Sequence, residues 1–151
     1  MMTAEVFYQD VRGALARLYP GAYLTSWSGA EWHGLTASFS RDYVLFSPLF
    51  EKDDTRRHYN QLVSLKKIPM AAKVGLIQVD SPAGGFTVAD VHRTVVDMLY
   101  DPVLAGGDEI IDEVWDNYLA LPNADTNTLC RYAAACGMPA VLTALKERLG
   151  V

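Results

Sequence analysis

Histidine and carboxylate side chains are the groups in this sequence that could perform acid–base or metal chemistry. The three histidines are His33, His58 and His92, and only His92 has acids close by, at Asp90 and Asp97. Separations of two and five residues do not place all three side chains on one face of a helix. We therefore expect His92 to be structural or exposed. The enzyme alternative, a nuclease or phosphotransfer accessory using these three residues, requires metal-dependent turnover that His92→Ala abolishes.

Motifs of other enzyme classes are absent from the sequence, which has no Gly-rich phosphate loop, no serine elbow and no zinc-binding spacing. Cys130 and Cys136 lie six apart in an alanine-rich helical segment, so we expect buried free thiols. Asp108, Asp112 and Asp116 repeat every four residues, a spacing typical of a solvated helix face. The sequence therefore predicts no catalytic residue, no metal and no cofactor.

Arg93 and Asp97 are four residues apart in a segment with helical periodicity, so their side chains can form an ion pair on one side of the helix. An exposed pair of this kind contributes roughly 0.3–0.5 kcal/mol. We expect the two residues to organise this central helix structurally rather than to react. Arg93→Ala should lower stability before it affects any activity.

Charge is unevenly distributed along the chain, whose formal net charge is −5. Residues 36–75 are basic and residues 76–151 are strongly acidic. A local basic patch can contact phosphate even in an acidic protein. The candidate nucleic-acid contacts are Arg41, Lys52, Arg56, Arg57, Lys66, Lys67 and Lys73. Trp27, Trp32, Tyr43 and Tyr59 could stack on bases, but without a phosphate-binding groove we expect them to pack in the core.

Hydrophobic periodicity predicts helices first, then a small sheet, then helices again. Thr3 caps a predicted helix that ends near Leu18, and Ser26 caps a short second one. Predicted strands are 43–46, 62–65, 74–79 and 86–88, with a solvated loop or hairpin tip at 51–58 and a turn at 81–85. Four C-terminal helices are predicted: 90–100, a helix that begins at Gly106-Gly107-Asp108, 127–136 and 139–149. This order indicates an α+β fold with a small mixed or antiparallel sheet.

The chain length of 151 residues predicts a single domain, 1–151. Apolar residues make up 50% of the chain, enough for a core without disulfides or metals. The sequence contains no apolar run of about 18 residues, and its first residues lack a signal-peptide pattern. We therefore expect a cytoplasmic protein with no membrane partner.

Three stretches, taken in order, carry a resemblance to one family: residues 19–36, residues 88–107 and residues 128–149. They resemble the AbiEi-type antitoxins of bacterial abortive-infection systems. Residues 19–36 are similar to that family's segment ending in Gly-Leu-Thr, here Gly34-Leu35-Thr36. Residues 88–107 are similar to its Arg-Thr-aliphatic-aliphatic-Asp helix, here Arg93 to Asp97, and its Pro-x-x-Ala-Gly-Gly turn. Residues 128–149 are similar to its closing helices. The chain departs from the family at two points. His92 stands where family members often have Glu, and family members usually carry a winged helix in front of the matching segment.

The resemblance implies a non-enzymatic, antitoxin-like domain of a type IV toxin–antitoxin system. Family members counteract a nucleotidyltransferase toxin without a stable complex with it, and repress their own operon. Only about 18 residues precede the match here, so DNA binding would need the basic segment in place of a winged helix. The alternatives are a protein-interaction module, whose acidic half binds a basic partner, and a DNA-binding regulatory module derived from the same fold.

Overall fold

A computed structural model of the protein describes residues 11–69, 73–80 and 84–151. The described part of the chain has an α+β fold, six helices with one mixed sheet, as the sequence predicts. The helices are α1 (Val11–Leu18), α2 (Ser26–Trp32), α3 (Val91–Tyr100), α4 (Asp108–Leu119), α5 (Thr126–Ala135) and α6 (Pro139–Leu149). The strands are β1 (Tyr23–Leu24), β2 (Asp42–Ser47), β3 (Asp54–His58), β4 (Gln61–Lys67), β5 (Leu76–Val79) and β6 (Phe86–Ala89).

The sheet has the strand order β3-β4-β2-β1-β6-β5. Strand β1 lies at its centre, antiparallel to β2 and parallel to β6. Strands β2 and β4 are parallel, while β3 and β5 form antiparallel edges with β4 and β6. The two-residue strand β1 therefore joins the two halves of the sheet.

Each face of the sheet carries its own apolar cluster, because side chains alternate along a strand. On one face, Val11 and Leu15 of α1 pack in a cluster with Leu24, Leu45, Val63, Leu65, Phe86 and Val88. On the other face, the cluster joins Tyr23, Val44, Phe46 and Ala89 with residues of α3 and the three helices that follow it. The C-terminal helices thus cover one face, with α3 against the sheet.

Helix ends follow local capping chemistry. The Asp90 carboxylate accepts a hydrogen bond from the Arg93 amide and begins α3. The Asp125 carboxylate accepts from the amides of Asn127 and Thr128 and begins α5. Pro139 occupies the first turn of α6, and Gly150 ends that helix in the left-handed conformation. The last helix spans the residues that the sequence predicted.

The prediction that Ser26 caps the second helix is wrong. Thr25 is the residue before α2, and its side chain makes no capping bond. The Thr25 hydroxyl donates instead to Asp97, 2.7 Å away and 72 residues along the chain. Ser26 itself is fully buried with a positive φ of 58°, a conformation that local sequence rules do not favour for serine. A long-range contact has replaced the local cap.

Two strands of the structure, β1 and β3, were not predicted from the sequence. The charged stretch 51–58 contains strand β3, which forms a hairpin with β4. Its turn is Tyr59-Asn60, with φ of 54° and 61°, as a tight two-residue hairpin requires. Charged side chains suit an edge strand because they oppose further strand addition, so they concealed its strand character. Strand β1 has only two residues, too few for any periodicity.

Two other sequence predictions fall outside the described residues: the Thr3 cap and most of the turn at 81–85. Among the helices that the structure describes, none is long and apolar enough to cross a membrane.

The connection between β4 and β5 is held against α3 at Gly75. The Gly75 carbonyl accepts a hydrogen bond of 2.7 Å from the Asp90 amide. Gly75 has a φ of +71°, and a Cβ atom there would lie 2.5 Å from the Tyr132 ring and 2.9 Å from the Arg93 Cβ. Only glycine fits this approach without moving its neighbours.

We predict that Gly75→Ala destabilises the protein more than Gly34→Ala. Gly34 is a matched control, since its φ is +70° and a Cβ there meets nothing within 4 Å. Both variants bear the left-handed backbone penalty of about 1–2 kcal/mol. Gly75→Ala should add roughly 1–3 kcal/mol of overpacking. Urea unfolding of both variants measures the difference, and equal losses would contradict the close approach.

Candidate functional site

The ion pair predicted within α3 is present and is completely buried. Arg93 Nε lies 3.3 Å from Asp97 Oδ1, and both side chains are 0% exposed. The sequence indicated a helix with one buried face, but residues 93–98 are buried without interruption. The helix is enclosed because it lies between the sheet and the later helices. The stabilisation of roughly 0.3–0.5 kcal/mol expected for an exposed ion pair therefore does not apply to this buried pair.

Side chains from distant elements complete the hydrogen bonding of this pair. Asp97 Oδ2 accepts from the Tyr23 hydroxyl at 2.8 Å and from the Thr25 hydroxyl at 2.7 Å. Arg93 Nη2 donates to the Tyr23 hydroxyl at 2.8 Å, and Nη1 donates to the Val74 carbonyl at 2.8 Å. The guanidinium carbon also lies 4.9 Å from the centre of the Tyr23 ring. We call Arg93, Asp97, Tyr23 and Thr25 the buried network.

Burial dominates the electrostatics of the buried network. It raises the pKa of the Asp97 carboxyl, an effect that the Arg93 charge and the hydroxyl donors oppose. Burial and the neighbouring Asp97 charge raise the pKa of Tyr23 well above its ordinary value. Burial alone would lower the pKa of Arg93, but the Asp97 charge, the hydrogen bond to Asp97 and the nearby Tyr23 and Cys136 together outweigh burial and raise this pKa. Tyr23 thus remains a hydroxyl donor and Arg93 a cation at neutral pH.

The geometry of the buried network suits a structural role and not a chemical reaction. Each of its charged groups is out of contact with solvent, so no substrate can reach it. Its bonds connect β1, the residue before α2, the β4–β5 connection and α3. Tyr23 and Thr25 were not predicted as partners of Arg93 and Asp97, because a separation of about 70 residues leaves no periodic signal.

The three residues of the enzyme alternative make separate contacts. Asp90 caps α3 and accepts a hydrogen bond of 3.0 Å from the Tyr132 hydroxyl. His92 Nδ1 lies 2.6 Å from the Tyr118 hydroxyl, and Asp97 belongs to the buried network. Each is therefore committed to a different neighbour.

The remaining histidines, cysteines and acids show no assembled site in the described residues. His33 Nε2 lies 2.6 Å from the Ala89 carbonyl, and His58 Nε2 lies 2.6 Å from the Tyr19 hydroxyl. Cys130 and Cys136 are free thiols, but only Cys136 is buried as predicted, and burial raises its pKa. Asp108, Asp112 and Asp116 are exposed, as predicted. No group of three or more potential ligands in the described ranges could hold a metal ion.

The candidate nucleic-acid contacts on the hairpin are divided between the two faces of the sheet. Arg56 lies opposite Val63 and Arg57 opposite Leu62, so consecutive arginines point to opposite sides. Lys66 and Lys67 are divided in the same way. Arg56 also pairs with Asp54 at 2.7 Å. These residues do not form one basic surface.

Acids further reduce the basic character of this segment. Lys66 Nζ lies 2.9 Å from Asp53 and 3.1 Å from Asp101. Burial alone would lower the pKa of Lys66, but the two carboxylates together outweigh this effect and raise the pKa. Arg41 and Lys73 line different cavities, at opposite ends of β2. The structure therefore distributes the seven predicted contacts over several surfaces.

The aromatic residues that could stack on bases are not all in the core. Trp32 is 41% exposed and Tyr59 is 37% exposed, which corrects the expectation of core packing. Trp27 donates from its ring nitrogen to the Ser38 carbonyl at 3.2 Å. Trp32 and Tyr43 flank the guanidinium of Arg12, at 5.3 Å and 5.5 Å from their ring centres. Sequence reasoning did not identify Arg12.

No protein-family model matches the chain, and no curated protein matches it either.

We predict that Asp97→Asn destabilises the protein by about 3–5 kcal/mol, because it leaves the Arg93 charge buried without its counter-ion. Asp112→Asn is the matched control: its carboxylate pairs with Arg148 at 2.9 Å but is 64% exposed. Removing that pair should cost less than about 1 kcal/mol. Chemical unfolding gives both values, and similar small losses would show that the buried pair is not a major stabilising element.

Proposed function

We propose that this chain is a non-enzymatic, antitoxin-like protein that counteracts a nucleotidyltransferase toxin. The proposal begins from the resemblance of residues 19–36, 88–107 and 128–149 to AbiEi-type antitoxins. One structural observation supports it most directly. Tyr23 and Thr25 of the first stretch hydrogen-bond to Asp97 of the second. The stretches that carry the resemblance therefore belong to one structural unit.

The third stretch also contributes to this unit. Leu129 and Ala133 of α5, with Val141 and Leu145 of α6, pack in the same apolar cluster as Val95 and Val96 of α3. Three separate sequence similarities thus meet around one helix.

The chemistry of α3 supports a role without catalysis. Asp90, His92 and Asp97 each have a structural partner, and the Arg93–Asp97 pair is excluded from solvent. We expect the protein to act in the cytoplasm and, as the resemblance implies, to neutralise the toxin without a stable complex. It would need no metal or cofactor.

The alternative of a DNA-binding regulatory module has less support, because the basic residues of the hairpin lie on opposite faces and several are paired with acids. The alternative of a protein-interaction module is favoured by the exposed aspartates of α4, whose charge suits a basic protein surface. A salt-sensitive complex with a protein, and no binding of nucleic acid, would support this second function.

The test is growth of a bacterial host that expresses the nucleotidyltransferase encoded beside this chain. We expect the wild-type chain to restore growth by at least tenfold in viable count, an effect large enough to exceed expression noise. Asp112→Asn should restore growth equally. Asp97→Asn should fail, because it disrupts the unit that carries the resemblance.

Toxicity that the folded wild-type chain does not relieve would contradict the antitoxin role. Absence of toxicity from the neighbouring protein would have the same consequence. Relief accompanied by a stable, salt-sensitive complex with the toxin would support the interaction-module alternative. Circular dichroism of each variant, purified from the same host, separates loss of folding from loss of function.

A further inference from the structure

A polar cavity of about 190 Å³ lies where α1, α2 and the start of β2 meet. We call it the Arg12 pocket; its lining residues include Arg12, Glu31, Phe39, Arg41 and Asp42. None of these residues belongs to the buried network. Most of the lining is polar or charged, so the pocket suits a ligand that can form hydrogen bonds and ion pairs.

Two aromatic rings position the side chain of Arg12. Its guanidinium lies between the rings of Trp32 and Tyr43, and its Nε is buried with no hydrogen-bond partner in the described part of the chain. A buried donor without an acceptor costs about 1–3 kcal/mol. A guanidinium positioned by two rings, with Nε lacking an acceptor among the described residues, is suited to bind an anionic group.

The pocket contains acids as well as arginines. Glu31 Oε2 accepts from the Ser40 amide at 2.8 Å, and Asp42 Oδ2 accepts from the Ser64 hydroxyl at 2.5 Å. Each carboxylate retains a second oxygen for a ligand. Neither forms an ion pair with Arg12 or Arg41 in the described structure. A bare anion would meet two cations and two anions, whereas a ligand with both an anionic group and N–H donors complements all four.

Phe39 lies at the rim of the pocket and is 82% exposed. Pockets that enclose a drug-sized ligand have about 300–1,000 Å³, so this one can hold only part of such a molecule. The rest must lie at the open rim, where the Phe39 ring offers a flat apolar face. Stacking on an aromatic side chain suits a nucleobase of any type.

We propose that the Arg12 pocket binds a mononucleotide. Arg12 and Arg41 bind its phosphate, the base stacks on Phe39, and Glu31 and Asp42 accept hydrogen bonds from base N–H groups. This site does not depend on the antitoxin-like role and would exist whether or not that role is correct. A free mononucleotide fits better than a strand, since the basic residues outside the pocket do not continue it as a groove.

Calorimetric titration of the full chain with the four nucleoside 5′-monophosphates tests the proposal. Adenosine, ribose 5-phosphate and inorganic phosphate serve as partial ligands. We expect at least one mononucleotide to bind more tightly than all three. Arg41→Gln should weaken nucleotide binding roughly tenfold or more, the effect of losing a charged hydrogen bond. Arg57→Gln, which removes an exposed arginine outside the pocket, should leave affinity unchanged.

Phe39→Ala tests the stacking contact separately. It should weaken mononucleotide binding roughly 5- to 150-fold, in line with the contribution of one stacked base, and leave ribose 5-phosphate binding unchanged. Leu49→Ala is its control, because Leu49 is 74% exposed and lies outside this pocket. The four substituted residues are exposed in the structure, so these variants should fold normally: Phe39, Arg41, Leu49 and Arg57.

Three outcomes would overturn the proposal. The first is no binding of any mononucleotide at millimolar concentration. The second is inorganic phosphate or adenosine binding as tightly as the nucleotide. The third is tighter binding of a single-stranded oligonucleotide that depends on Arg56 and Arg57 rather than on Arg41. Toxin relief in the growth assay is measured independently, so failure of one proposal does not imply failure of the other.

Discussion

Burial of the Arg93–Asp97 pair is the constraint on which the rest of the structure depends. Removing two charges from water costs several kcal/mol for each ion, and only close pairing with further hydrogen bonds offsets that cost. The required donors and acceptors come from Tyr23, Thr25 and Val74, three points far from α3 in sequence. The pair therefore determines where β1, the start of α2 and the β4–β5 connection must lie.

Several local irregularities follow from this constraint. Thr25 does not cap α2 because its hydroxyl is used by Asp97. Gly75 is a glycine because the chain must pass close to Arg93 and Tyr132 after Val74 accepts its hydrogen bond. Strand β1, only two residues long, remains at the centre of the sheet because Tyr23 extends from it into the network. Local preferences yield here to the requirement that buried polar groups be satisfied.

Two arginines show how the same side chain serves different purposes. Arg93 is surrounded by acceptors and a carboxylate, so it is committed to the fold. Arg12 is positioned by two aromatic rings, and its buried Nε has no acceptor in the described residues. A cation held by ring faces keeps its hydrogen-bonding capacity for a ligand. Within the described residues, the two arginines thus differ in whether their hydrogen-bonding groups have partners.

The sequence by itself determined the α+β class, the four C-terminal helices and four of the six described strands, because those elements carry periodicity or β-branched runs within a few residues. It also indicated the pairing of Arg93 with Asp97, since both lie on one helical turn. Only the tertiary structure decided that the pair is buried, that Tyr23 and Thr25 complete it, and that the charged stretch 54–58 is an edge strand. The physical reason is that burial and long-range hydrogen bonds depend on which elements pack together, and contacts between residues about 70 apart leave no local pattern. The Arg12 pocket belongs to the same category, since its walls come from four separate segments.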